Sequence, residues 1–129
     1  MAVKGVVHTD GAPAALGPYS QATTLDLLIF ASGQLPLNSS GLMADGIEEQ
    51  TRQSLANLLA VLRSGGASAT SVLKTTVYLK DMNDFPAMNA VYAEFFKEAP
   101  PARSTIEVAR LPKDALVEIE AVAFRETAG

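Results

Sequence analysis

Apolar residues recur along this chain with two different periods, and the switches between them mark its elements. Ile47, Thr51, Leu55, Leu58, Leu59 and Leu62 fall at helical spacing. Ahead of them, Asp45-Gly46-Ile47-Glu48 has the form of a capping box, with Asp45 as the cap and Glu48 reaching back. Glu48 also sits one turn before Arg52, which predicts an exposed ion pair, and Gly65-Gly66 ends the helix. A second helix is predicted with Asp84 as its cap and Pro86 in its first turn. Met88, Val91, Tyr92 and Phe95 form its apolar stripe. Elsewhere the period is two. Residues 72–80 put Leu73, Thr75, Val77 and Leu79 on one face, and residues 116–125 turn Val117, Ile119 and Ala121 toward a core. Residues 27–32 form a continuous apolar strand, broken by Gly33 and stopped near Pro36, and shorter strands are predicted at 4–8 and 19–24. In 103–110, Ile106 and Val108 are the inward pair.

The order is strands, helix, strand, helix, two strands. Each helix has one apolar stripe, so both can cover one face of a single mixed, six-stranded sheet, an α+β fold. The length of 129 residues suits one domain spanning 1–129. The last two strands read as a hairpin across a Pro-containing turn. That pairing would bring Arg103, Thr105, Glu118 and Glu120 onto one surface. A guanidinium is a fork suited to gripping a carboxylate at two points, and a nearby glutamate can hold or activate water. The pair describes a small-acid hydrolase or a small-acid receptor. The same pattern also describes a solvated cross-strand ion pair.

Composition removes several other classes. The net charge of −4, with no run of Lys or Arg, supplies no footprint for phosphates, so no nucleic-acid partner is expected. Cysteine is absent, which excludes disulfides, thiolate nucleophiles and Cys-based metal sites. With His8 as the single histidine, a zinc shell is not expected, and a Ser-His-Asp arrangement would need His8 itself to reach the site. Hydrophobic residues make up 48% of the chain and charged ones 19%, a balance that favours burying part of the surface in an oligomer. The first residues lack the apolar run of a secretory signal and no segment approaches a membrane span, so a cytoplasmic protein is expected.

Four motifs, in register, carry a resemblance. They are Gly17-Pro18-Tyr19-Ser20-Gln21-Ala22, Ala31-Ser32-Gly33-Gln34-Leu35-Pro36, the segment from Lys74 through Tyr78-Leu79-Lys80-Asp81-Met82-Asn83-Asp84-Phe85, and Pro101-Ala102-Arg103-Ser104 followed by Val117-Glu118-Ile119. Together they resemble the Rid family of reactive intermediate deaminases. The resemblance implies a chorismate-mutase-like fold whose sheets pack into a homotrimer with sites between subunits. It also implies hydrolysis of small 2-imino acids, such as 2-iminopropanoate and 2-iminobutanoate, to 2-oxo acids and ammonia, without metal or organic cofactor.

Carried over residue by residue, it makes Arg103 the group that grips the substrate carboxylate and Glu118 the one that orients or deprotonates the attacking water. Tyr19 would close over the substrate, Ser32 would hydrogen-bond the bound acid, and Gly33 would allow close backbone approach. Asn89 would lie at the pocket rim, and Glu120 would be structural. Many members have cysteine after Arg-Ser where this chain has Thr105, so a thiol role there is impossible and the substrate range is the property most affected. Two other functions compete with the enzyme. One is a regulatory protein that binds a 2-oxo acid through the same arginine. The other is a ribonuclease or translation inhibitor, against which the acidic balance and the lone histidine weigh.

Overall fold

Residues 2–126 are described by a computed structural model of the chain. Its longest element is the helix α1 (Gly46–Ser64), which buries Thr51, Leu55, Leu58, Leu59 and Leu62, the stripe expected from the sequence. Each fully buried leucine contributes about 1.5–3 kcal/mol relative to exposure. The helix stops at Gly65, where any Cβ would overlap the Ile29 side chain, so glycine permits the helix end to approach the sheet closely. Gly66 then adopts a φ of +92°, and Ala67 N–H returns to the Leu62 carbonyl.

The helix begins differently from expectation. Gly46 has a φ of +80°, and the Asp45 side chain makes no capping bond. Buried Gln50 ties the helix start to its surroundings without capping it: its amide donates to the Ala44 carbonyl and its oxygen accepts from Leu116 N–H. Arg52 pairs with Glu49 at 2.7 Å and with Glu94 at 3.2 Å rather than with Glu48, which links the two helices.

The strands are β1 (Gly5–Val7), β2 (Ala22–Leu25), β3 (Leu28–Gln34), β4 (Val72–Leu79), β5 (Ala102–Glu107) and β6 (Val117–Phe124). They form one six-stranded sheet in the order β1-β2-β3-β6-β4-β5. All neighbours are antiparallel except β4 and β5, which are parallel and joined by the helix α2 (Phe85–Phe95). Both helices lie over one face, with α1 against β3 and β6 and α2 beside α1. The core between them contains Ile29, Leu55, Leu58, Leu62, Val77, Leu79, Met88, Val117 and Ile119.

Three expectations about the sheet are corrected. The last two strands do not form a hairpin, because β4 lies between β5 and β6. The inward residues of β6, namely Val117, Ile119, Ala121 and Ala123, are all buried and suit a central strand. The sequence Ala-Arg-Ser-Thr-Ile-Glu of β5 instead suits an edge. The faces of β5 are also reversed: Ile106 is 45% exposed, while Arg103 and Thr105 share the helix side with Thr75 and Val77, their partners in register. In β4 a bulge between Val72 and Lys74 turns Leu73 out to 47% exposure and lets Val72 take the inward place.

At the second helix, Asp84 makes no capping bond. The preceding turn is fixed by Asp81, which accepts from Asn83 N–H, and by Glu107, which accepts from Met82 N–H.

Candidate active site

The chemistry-bearing residues fall into two groups on opposite faces of the sheet. On the open face, a cavity of about 570 Å³ is lined by Leu16, Tyr19, Ser32, Gly33, Leu35, Pro112, Glu118 and Glu120. Alternation along β6 points Glu118 and Glu120 away from the helices, in register with Tyr78 and Thr76 of β4. A register shift in β3 between Ala31 and Gln34 brings Ser32 and Gly33 alongside. A Cβ at Gly33 would overlap the Glu118 carboxylate, so the glycine makes room for the acid.

The loop over this cavity is tied down from below. Buried Gln21 accepts from Thr9 N–H and donates to the Thr9 and Pro13 carbonyls. Ser32 Oγ donates to the Ser20 carbonyl at 2.6 Å, and Ser32 N–H donates to the Gln21 carbonyl. The Ser32 proton is thus used to hold the loop, which leaves its oxygen as an acceptor toward the cavity. Tyr19 accepts from Leu16 N–H through its hydroxyl at 3.0 Å and keeps its own proton to donate.

Glu118 is half-buried. Burial, and then the neighbouring charge of Glu120, push its carboxyl above the usual glutamate range. Glu120 in turn accepts from the Tyr78 hydroxyl at 3.1 Å. Burial, followed by that bond and the charge of Glu120, keeps the phenol protonated above its ordinary value.

Arg103 stands on the other face, at the edge strand. Its Nη1 donates to Asn89 Oδ1 at 2.8 Å, and its Cζ lies 4.7 Å from the centre of the Tyr92 ring and 5.4 Å from that of Phe85. Glu107 and Glu120, carboxylates of β5 and β6, are bonded to Met82 N–H and to the Tyr78 hydroxyl. Among the described residues no carboxylate pairs with this guanidinium. Thr105 follows on the same side, with its Oγ1 buried and without a hydrogen-bond partner.

The structure therefore brings Tyr19, Ser32, Gly33 and Glu118 together and sets Arg103 and Asn89 together, but it does not join the two groups within one chain. The expected shared surface for Arg103, Thr105, Glu118 and Glu120 is corrected, because the first two face the helices and the last two face away. Glu120, expected to be structural, lines the cavity beside Glu118, and Tyr78, which the sequence reading did not single out, bonds Glu120 from the same sheet face. Leu16, Leu35 and Pro112 come from loops with no pattern to reveal them. A larger cleft of about 740 Å³, beside β1 and the end of α1, contains none of the candidate residues.

Two substitutions test this geometry. Gly33→Ala is expected to displace the Glu118 carboxylate while leaving the fold intact, so the imine hydrolysis that the resemblance implies falls at least about tenfold with an unchanged circular dichroism spectrum. Parent-level turnover would show that the contact is dispensable. Thr105→Val removes a buried hydroxyl that has no partner, and denaturant melts are expected to show a gain of up to about 1 kcal/mol. A loss of stability would mean that the hydroxyl is bonded.

The family model for endoribonuclease L-PSP matches residues 9–125. The chain belongs to this family, the Rid family. Among relatives, this Rid protein is 52% identical over 126 residues to a RutC family protein of Pyrococcus horikoshii, covering 96% of this chain and 100% of the other. It is 47% identical to an Escherichia coli protein named 2-iminobutanoate/2-iminopropanoate deaminase, covering 92% and 96% of the two chains. Among solved structures, E. coli TdcF with bound serine superposes with a TM-score of 0.90 at 42% identity, covering 94% and 98%. Among the described residues of this Rid protein, no group of three or more His, Asp and Glu side chains could hold a metal ion. No helix among them is long and apolar enough to cross a membrane.

Proposed function

We propose that the protein hydrolyses small 2-imino acids to 2-oxo acids and ammonia, at sites completed between the subunits of a homotrimer. The observation that carries this reading is the split of the site: an arginine without a carboxylate partner at one sheet edge, and a carboxyl with a raised pKa in a cavity on the opposite face. Each half lacks what the other presents. A second copy supplies the missing half if its Arg103 edge docks at the Glu118 cavity. The open face around that cavity also presents Val6, Leu25, Leu28, Phe30, Ile106 and Phe124 as exposed apolar residues, a surface suited to burial against copies of the same chain. The number three comes from the family resemblance.

In this reading Arg103 holds the substrate carboxylate through two parallel N–H···O bonds. Glu118 of the facing subunit takes a proton from water as the water oxygen attacks the imine carbon. Its raised pKa brings it closer to neutral pH, where a general base works best. The proton passes from Glu118 to the substrate nitrogen; the freed Glu118 carboxylate then takes the carbinolamine hydroxyl proton as the C=O forms and the C–N bond breaks, releasing ammonia and leaving the 2-oxo acid. A protonated imine is already electrophilic, so orientation and a placed base suffice without a cofactor. Tyr19 and Leu16 shield the cavity mouth, and Leu35 and Pro112 offer apolar walls for a short substrate side chain. The deaminase name of the E. coli relative supports the same reaction.

The test couples a threonine or serine dehydratase to the purified protein and follows imine decay. Decay faster than in solvent alone is the expected result. An unchanged decay rate together with tight binding of a 2-oxo acid would favour the receptor reading.

A further inference from the structure

We propose that Tyr92 and Asn89 are positioning residues that hold the Arg103 guanidinium ready for its carboxylate ligand. The inference rests on the reading of Arg103 as the carboxylate-binding group. An arginine side chain has many rotamers, and an unpaired one at a sheet edge would lose that freedom on binding a ligand. Here the freedom is already restricted. The Tyr92 ring lies beneath the guanidinium at 4.7 Å and uses none of its N–H groups, while Asn89 takes only one N–H, at Nη1. The remaining donors stay available for a two-point contact.

Tyr92 is itself fixed. It is 5% exposed, its hydroxyl bonds Thr75 Oγ1 at 2.7 Å, and its ring lies 4.7 Å from that of Phe96. Thr75 is fully buried on β4 and in register with Arg103 on β5, so strand, ring and guanidinium form one connected stack. Asn89 and Tyr92 are three residues apart on α2, which places both on one helix face toward Arg103. The contacts explain how a cation with no anion beside it keeps a defined direction.

The experiment measures pyruvate affinity by calorimetry, imine turnover and thermal stability on the assembled protein. Tyr92→Leu is expected to weaken pyruvate binding about threefold to thirtyfold and to raise KM more than it lowers kcat. In an Arg103→Lys background, whose ammonium has no plane to stack, the same change has a smaller effect on affinity but an equal effect on stability. Tyr92→Phe keeps the ring face and strands the Thr75 hydroxyl, so it loses more stability than affinity. Asn89→Ala is expected to weaken binding about threefold to tenfold, and it carries the test if Tyr92→Leu fails to fold. If Asn89→Ala and a folded Tyr92→Leu keep parent affinity while Arg103→Ala abolishes binding, the positioning role is overturned and the reading of Arg103 stands. If Arg103→Ala also keeps parent affinity, that reading falls with it.

Discussion

Arg103→Ala is expected to weaken the binding of a stable 2-oxo acid and to slow imine turnover together. Charge-assisted hydrogen bonds of this kind are worth about 1.5–3 kcal/mol, which corresponds to about tenfold to over a hundredfold in affinity. Arg103→Lys is expected to move in the same direction despite keeping the charge. A lysine ammonium has neither the fork that matches a carboxylate nor the plane that lies over Tyr92. Calorimetry with pyruvate and imine-decay rates on the same preparations check this, once the assembled mass of each variant matches the parent. Parent affinity in either variant would contradict the assignment.

Glu118→Gln is expected to behave in the opposite way. The amide keeps the shape but cannot accept the proton of water, so hydrolysis falls about a hundredfold or more while pyruvate binding is nearly retained. Stability adds an independent signature. Because folding raises the pKa of this carboxyl, the stability it contributes is complete below the ordinary glutamate range and is lost as pH rises through the raised value. At neutral pH the charged group therefore works against folding. Glu118→Gln is expected to raise Tm at pH 7 and to leave it unchanged at acid pH, where the parent carboxyl is already neutral. Glu120→Gln removes the neighbouring charge that helps raise the Glu118 pKa, and it is expected to move the acid limb of the rate profile to lower pH. A lower Tm for Glu118→Gln at neutral pH would contradict the direction of the shift.

The parts of this molecule that follow one repeating pattern were legible in its sequence. The stripe of α1 from Thr51 to Leu62 and the inward set of β6 are both buried as their periods require. The pairing of β5 was not legible, because two strands joined by a short turn look like a hairpin whether or not a third strand lies between them. Its inward face was misread for a related reason. Ile106 is apolar on a sheet face that is apolar in several places, so hydrophobicity did not distinguish the core from a surface suited to another subunit. Asp45 and Asp84 had the right residue type and position for caps. The backbone geometry decides whether a side chain reaches the free N–H groups, and at Asp45 the following Gly46, with φ of +80°, turns the chain away.

At the site, the family motifs named Tyr19, Ser32, Gly33 and Glu118, and all four line one cavity. The motifs could not show that Arg103 faces the other way. Tyr92 was read as one more member of an apolar stripe, because burial and service to a neighbouring guanidinium ask for the same residue.

Mixed assembly tests the central claim most directly. Arg103→Ala chains and Glu118→Gln chains are each expected to be nearly inactive alone, and they are folded together in equal amounts before turnover is measured. In a cyclic trimer with random mixing, an intact Arg103 faces an intact Glu118 at about one site in four, so about a quarter of the parent rate is expected to return. A mixture no more active than the two variants measured separately would contradict a site shared between subunits.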